Sequence, residues 1–298
     1  MKWFNSVGLG SIVIGCLTSS ALLAQNMSAV AMLAEVKSAV ESARVVLDVP
    51  YVDNGHARQR LDLYIPKGAK EPVPVVLWVH GGGWSAGSKT RTPAVALLPR
   101  GYAVVSVGYR LSQDAKFPAQ IDDCQAALKW VRDHAKDYGL NASRVGVWGA
   151  SAGGHLGALM GTTGNPDDQT DVQAVVDWFG PADFRTGYGS ANQTNPIHQL
   201  LGASPTQDRA KALAASPTAQ VSKDDAPFLI FHGAKDLLVP LSQSQGLHQA
   251  LKDAGVESEL VVLDNAGHGG REFLTPVMRD QIVTFFDKHL REANESQP

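Results

Sequence analysis

Eight short stretches of the chain are rich in apolar and β-branched residues, and from the third onward amphipathic patterns separate most of them. The first two are "RVVLDVPYV" (44–52) and "RLDLYIP" (60–66). The second alternates apolar and polar residues, the pattern of an antiparallel edge hairpin. The next, "VPVVLWVH" (73–80), is apolar almost throughout, as a strand covered on both faces requires. "YAVVSVGYR" (102–110), "RVGVWG" (144–149), "VQAVVDWFG" (172–180), "PFLIFHG" (227–233) and "ELVVLDN" (259–265) complete the set.

Between them the period changes. Residues 117–139 place Ile121, Cys124, Leu128 and Val131 at helical spacing, with Pro118 near the start and Gly139 past the end. A helix from about Ala152 to Thr162 follows the fifth strand, and residues 240–255 and 275–293 read as amphipathic helices. Strands alternating with helices predict a mostly parallel sheet with helices on both faces. With no repeat and no linker evident, residues 45–293 read as one α/β domain. Residues 26–44 form an Ala/Met-rich helical segment, either a spacer or a cover over a site. The longest irregular stretch, 181–226, falls between two sheet strands and is either a lid-like insertion or a solvated one.

Composition narrows the partners. The chain has 298 residues, 44% of them hydrophobic, enough for one large core. The net charge of -3, with no basic stripe, argues against nucleic acid and against polybasic membrane attachment. The first 25 residues carry one charged side chain, Lys2, ahead of "VGLGSIVIGCLTSSALLA". That stretch is short and broken by Gly and Ser, so it reads as a signal peptide cleaved near Ala24, implying a secreted or periplasmic protein. The alternative is "VIGC" (13–16), which resembles a bacterial lipobox and would anchor a lipoprotein to a membrane through Cys16. Cys124 is then alone in the mature chain, so no internal disulfide forms, and its place on the inner helix face makes it a small buried hydrophobe.

The candidate chemistry starts at "RVGVWGASAGGH" (144–155). Ser151 sits where a buried strand becomes a helix, flanked at two residues' distance by Gly149 and Gly153. Such a turn is abrupt and strained, and it lifts the hydroxyl clear of the sheet at the helix N-terminus. A serine needs a base, and a base needs a carboxylate to orient it. Of nine histidines, His268 in "LDNAGHGG" lies on a Gly-rich loop after the last strand. Asp236, in "FHGAKDLLVP" after the penultimate strand, is favoured as the carboxylate over Asp264, four residues before the histidine.

Negative charge developing on a substrate oxygen also needs N–H donors. "HGGGW" (80–84) follows the first buried strand, and the donors expected are the N–H groups of Gly82, Gly83 and Ala152. His80 is expected to brace that loop rather than act as a second base. Trp84 either lines a substrate pocket or packs under the loop. Tyr188, in the irregular stretch, is a further candidate substrate contact, whereas Trp148, Trp178 and Phe179 lie in strands and read as core. No metal-ligand spacing, dinucleotide fingerprint or phosphate loop is present, so neither a metal nor another cofactor is expected.

"HGGGW", "GASAGG", "HGAKDLLVP" and "AGHG", in that order over residues 45–291, resemble the α/β-hydrolase carboxylesterases. The similarity is to the hormone-sensitive-lipase-like group and to bacterial esterases of the feruloyl or acetyl-xylan type. The resemblance implies an α/β-hydrolase fold, its eight-stranded sheet mostly parallel with one antiparallel strand near the start. It implies a Ser151–Asp236–His268 triad with the oxyanion loop on Gly82 and Gly83. The function it implies is a serine carboxylic-ester hydrolase, acting through an acyl-enzyme on short or compact acyl esters. The substrate would be a small molecule or a polysaccharide-linked ester, with deacylation of plant polysaccharide as one setting. Kynurenine formamidases share an H-G-G-x-W loop, so amide hydrolysis is the alternative chemistry. A non-catalytic binding module of the same fold is the other alternative, and it would show a broken triad or a spoiled oxyanion loop.

Overall fold

The structure, a computed structural model, describes residues 30–69, 72–185 and 195–291. Residues 30–42 form helix α1. The strands are β1 (Arg44–Pro50), β2 (Arg60–Ile65), β3 (Val73–Val79), β4 (Ala103–Val107), β5 (Leu140–Ala150), β6 (Ala174–Trp178), β7 (Phe228–Gly233) and β8 (Ser258–Leu263). They build one sheet in the order β1-β2-β4-β3-β5-β6-β7-β8. Strand β2 runs antiparallel to both its neighbours, and every other pairing from β4 to β8 is parallel. This is the α/β-hydrolase arrangement expected from the sequence.

The helices after α1 are α2 (Ala119–Asp133), α3 (Ala135–Tyr138), α4 (Ala152–Thr163), α5 (Pro196–Leu201), α6 (Arg209–Ala214), α7 (Pro217–Gln220), α8 (Ser242–Asp253) and α9 (Pro276–Leu290). They divide between the two faces of the sheet. Successive side chains of a strand point to opposite faces, and β3 shows the consequence. Val75, Leu77 and Val79 join one core with Leu128 of α2, Leu156 of α4 and Leu247 of α8. Val76 and Trp78 join the other with Leu97, Phe286 of α9 and the tryptophans 148 and 178. All seven residues of β3 are buried, which is why the run reads apolar without alternation. Each large side chain hidden in this way contributes about 1.5–3 kcal/mol.

The antiparallel edge hairpin expected over the first two runs is present, with β1 outermost and, paired inside it, β2. Its polar Asp62 is buried because Lys89 Nζ lies 2.6 Å from Oδ1 and the N–H of Asp48 donates to the same oxygen at 2.8 Å. The polar position within 60–66 is thus one half of a buried ion pair. Two expectations need correction. The single helix expected over 117–139 is interrupted at His134, with φ -106°, and Gly139 closes α3 in the left-handed region at φ 67°. Residues 181–226 are not irregular throughout, since they carry α5, α6 and α7. Two of these have side-chain N-caps: Asn195 accepts from the N–H of Ile197, and Asp208 from that of Lys211. Helices of four to six residues carry too little periodicity to be seen in a sequence. Tyr188 and the leader, residues 1–25, lie outside the described residues. Among those described, no helix is long and apolar enough to cross a membrane.

Candidate active site

Strand β5 ends at Ala150, α4 begins at Ala152, and Ser151 alone makes the corner, with φ 55° and ψ -119°. That is a costly conformation for a residue with a Cβ. The glycines on either side are required by contact. A Cβ on Gly149 would strike the carbonyl of Gly153, and one on Gly153 would strike the carbonyl of Val79. The corner is tied down by the N–H of Ser151, which donates to Trp178 O at 2.8 Å, and by the N–H of His155, which donates to Ser151 O at 3.0 Å.

His268 reaches this corner from the loop after β8. Its Nε2 lies 2.8 Å from Ser151 Oγ, and its Nδ1 lies 2.7 Å from Oδ2 of Asp236. Asp236 follows β7, and its carboxylate is wholly buried. Its Oδ1 accepts the N–H groups of Leu238 and Val239 at 2.8 and 2.9 Å. A carboxylate facing Nδ1 keeps the proton on that nitrogen, which leaves Nε2 as an acceptor for the serine proton. Ser151, His268 and Asp236 are thus brought into one hydrogen-bonded line. Asp264 is not part of it; its side chain is exposed at the end of β8.

The loop after β3 takes three left-handed residues in a row: Gly82 at φ 117°, Gly83 at φ 57° and Trp84 at φ 54°. It folds back because Gly82 O accepts the N–H groups of Ser85 and Ala86 at 3.1 and 3.0 Å. Gly82, Gly83, Ser151, Ala152 and His268 all line one cleft of about 550 Å³. Ala152 opens α4, so its N–H is one of the first-turn donors with no intrahelical partner, at the positive end of the helix.

His80 sits behind the loop. Its ring stacks on Tyr109 at 4.3 Å, its Nδ1–H donates to Gly81 O at 2.7 Å, and the Tyr109 hydroxyl donates to His80 O. Burial pulls its pKa down to about 4, so it is a neutral brace. Trp84 packs under the loop, with its ring edge-on to His155 and Phe184 at 5.1 and 5.7 Å, and it also lines the cleft. The rest of the lining is apolar apart from Asn195, and includes Pro196 and Ile197 of α5, Leu238 and Phe179. Among the described residues no group of three or more His, Cys, Asp or Glu side chains is placed to hold a metal ion. Cys124 is buried, as its place in α2 suggested.

Several residues gain a role that the sequence did not show. Phe179 is core, as its sequence position suggested, and its ring also stands edge-on to His268 at 4.7 Å and lines the cleft, with a left-handed φ of 45°. His232, buried in β7, lies 3.3 Å from Asp236 Oδ2 while its Nε2–H donates to Val239 O and its Nδ1 accepts the Ser244 hydroxyl. Asp177, at the end of β6, is also buried; its Oδ1 accepts the N–H of Gly180, and burial pushes its pKa up to about 7. The available signal was a polar residue inside an otherwise apolar strand, as in "FHG" and "VVDWFG".

A nucleophilic hydroxyl, an imidazole acceptor, a buried carboxylate and backbone donors around one cleft are the parts needed for acyl transfer through a covalent serine ester. Comparison with known proteins gives the family of the chain. The BD-FAE family matches residues 61–251, and the chain belongs to that family. Esterase LipQ of Mycobacterium tuberculosis is 31% identical over 240 residues, covering 74% of this chain and 56% of that protein. Esterase LipC of the same organism is 32% identical over 218 residues, covering 67% and 53%. The chain therefore spans about half the length of these relatives. A truncated carbohydrate esterase from gut microbiota superposes with a TM-score of 0.78 at 29% identity, covering 84% of this chain and 97% of that one. A bifunctional GH43-CE protein of Bacteroides eggerthii gives 0.76 at 31% identity, covering 83% of this chain and 35% of the other.

Proposed function

We propose that this BD-FAE family member is a serine carboxylesterase that hydrolyses short or compact acyl esters. The observation that carries the reading is the line from Ser151 Oγ through His268 to the buried Asp236, opening on the cleft beside Gly82 and Gly83. His268 Nε2 takes the Ser151 proton as Oγ attacks the ester carbonyl. The carbonyl oxygen becomes an oxyanion held by the N–H groups of Gly82, Gly83 and Ala152, each donor worth on the order of 3 kcal/mol to the transition state. Asp236 stabilises the imidazolium. His268 then passes its proton to the leaving alcohol, which departs and leaves an acyl-enzyme. A water gives a proton to His268 and attacks the acyl carbon, and Ser151 recovers its proton as the acid is released.

The names of the relatives, esterases in both cases, support ester hydrolysis. The apolar lining and the size of the cleft support a short or compact acyl group. The carbohydrate esterase among the structural neighbours supports an alcohol that is a sugar, free or within a plant polysaccharide. Lys2 followed by an uncharged apolar stretch supports export, with Cys16 as a lipid anchor if cleavage falls before it rather than near Ala24. Intact mass of the protein recovered from its producing cell separates those two forms.

The test of function is a substrate panel: p-nitrophenyl acetate, butyrate, octanoate and palmitate, methyl ferulate, acetylated xylan and N-formylkynurenine, each with wild type and Ser151→Ala. Short esters or acetylated xylan should be cleaved, and Ser151→Ala should not cleave them. A preference for N-formylkynurenine would move the protein to the amidases with the same residues. Equal inactivity of both proteins on the whole panel would overturn the reading in favour of a binding module.

A further inference from the structure

Behind the oxyanion loop lies a histidine that the proposed reaction does not use. His155 is one turn along α4 from Ser151 and is fully buried. Both ring nitrogens are engaged, and their partners fix the tautomer. Nε2 lies 2.8 Å from the carbonyl of Ala215, which can only accept, so Nε2 carries the proton. Nδ1 is then a lone-pair acceptor, and it faces the indole Nε1–H of Trp84, which can only donate, at 3.2 Å. The ring also stacks on Phe184 at 4.9 Å. His155 thereby joins α4, the oxyanion loop and the segment between α6 and α7.

The loop has need of such a tie. Gly82, Gly83 and Trp84 are all in the left-handed region, where backbone preference alone does not hold a residue like Trp84. Trp84 is the first side chain after the two glycines, so its indole is the handle by which the surroundings grip them. Its carbonyl is held by the N–H of Ser112 at 2.8 Å, and its ring is held by His155. Donors at an oxyanion site act only if they stand where charge develops, so a shift of the loop weakens transition-state binding more than substrate binding.

We infer that His155 is a positioning residue, fixing the oxyanion donors of Gly82 and Gly83 by accepting the Trp84 indole proton at Nδ1. The inference rests on the esterase reading for its consequence in rate, and on geometry alone for the tie itself.

Two substitutions separate the two ends of the ring. An asparagine oxygen can stand near the place of Nδ1, and a glutamine amide nitrogen near that of Nε2. His155→Asn therefore keeps the acceptor for Trp84 and gives up Ala215; His155→Gln does the reverse. The expected result is a loss of kcat of about ten- to a hundredfold in His155→Gln, with KM within about threefold, and little loss in His155→Asn. Trp84→Phe, which keeps a ring and removes the donor, should match His155→Gln, and the double variant should lose no more than either single one. Hydrogen exchange at the Trp84 indole and at the amides of Gly82 and Gly83, followed by NMR, reads the tie without substrate. Exchange should quicken in His155→Gln and stay as in wild type in His155→Asn. Equal effects of the two His155 variants on kcat and on exchange would show a packing role only and overturn the inference. If wild type hydrolyses no ester, the functional reading fails, and the exchange data alone still decide whether His155 holds the loop.

Discussion

Nε2 of His232 lies 3.3 Å from Oδ2 of Asp236, the same oxygen that Nδ1 of His268 contacts at 2.7 Å. With the N–H groups of Leu238 and Val239 on Oδ1, the buried carboxylate is ringed by donors, which offset its desolvation and hold its plane toward His268. Apart from His268, those donors come from β7 and the turn after it, so the acid's place is set by the penultimate strand.

Asp236→Asn should therefore lower kcat by about 10³–10⁴-fold, because an amide nitrogen facing Nδ1 selects the wrong imidazole tautomer. Asp264→Asn, at an exposed side chain away from the line, should stay within about twofold of wild type. Rates on p-nitrophenyl butyrate decide the matter. The reverse order of effects would make Asp264 the acid.

Gly82→Ala tests the oxyanion loop. At φ 117° an added Cβ is strained, and it would strike the carbonyl of Ala86. The loop must move, and kcat should fall about a hundredfold or more while urea unfolding shows a folded protein. A folded Gly82→Ala protein with unchanged kcat would remove Gly82 from the hole.

Stability should depend on pH through groups away from the reaction. Burial holds His80 and His155 at about 4, below their ordinary value of 6.5. Between those values the unfolded chain takes up protons that the folded chain refuses, so their contribution is lost as pH falls from about 6.5 to about 4. Asp177 acts oppositely. Its pKa is raised from 3.8 to about 7, so the folded chain holds a proton there, and this contribution is lost as pH rises through 7. Urea unfolding at pH 7, 5.5 and 4 should show a shallower acid loss in His155→Asn and a steeper one in Asp177→Asn. Slopes of the opposite order would contradict the assignment.

The ion pair under β2 is a matter of stability alone. Lys89→Met leaves Asp62 buried without its cation and should cost about 3–5 kcal/mol of unfolding free energy, measured in urea. Adding Asp62→Asn should recover part of that loss. An unchanged Lys89→Met protein would mean that Asp62 is hydrated or protonated.

What the sequence made legible follows from range. The strands β3 and β4 could be read because burial on both faces leaves an apolar run, and the corner at Ser151 because both glycines it requires stand within two residues of it, even though Gly153 is forced by the distant carbonyl of Val79. The place of Gly82 and Gly83 in a tight loop beside Ser151 could be expected from a glycine run after a buried strand. The edge hairpin could be read, but not the burial of Asp62, because Lys89, which makes it buriable, lies 27 residues along the chain. Phe179 is the core residue it read as, but nothing in its sequence position signals the left-handed turn that aims its ring at His268. The junction of Trp84 and His155 spans 71 residues and leaves no local pattern at all.

The central claim is that Ser151 Oγ is the nucleophile. The most direct measurement is the intact mass of the protein after reaction with diethyl p-nitrophenyl phosphate, followed by peptide mapping. Wild type should gain one diethylphosphoryl group, on the peptide containing Ser151, and lose its esterase activity in proportion. Ser151→Ala should gain none. A wild-type adduct on another residue, or equal labelling of Ser151→Ala, would contradict the account.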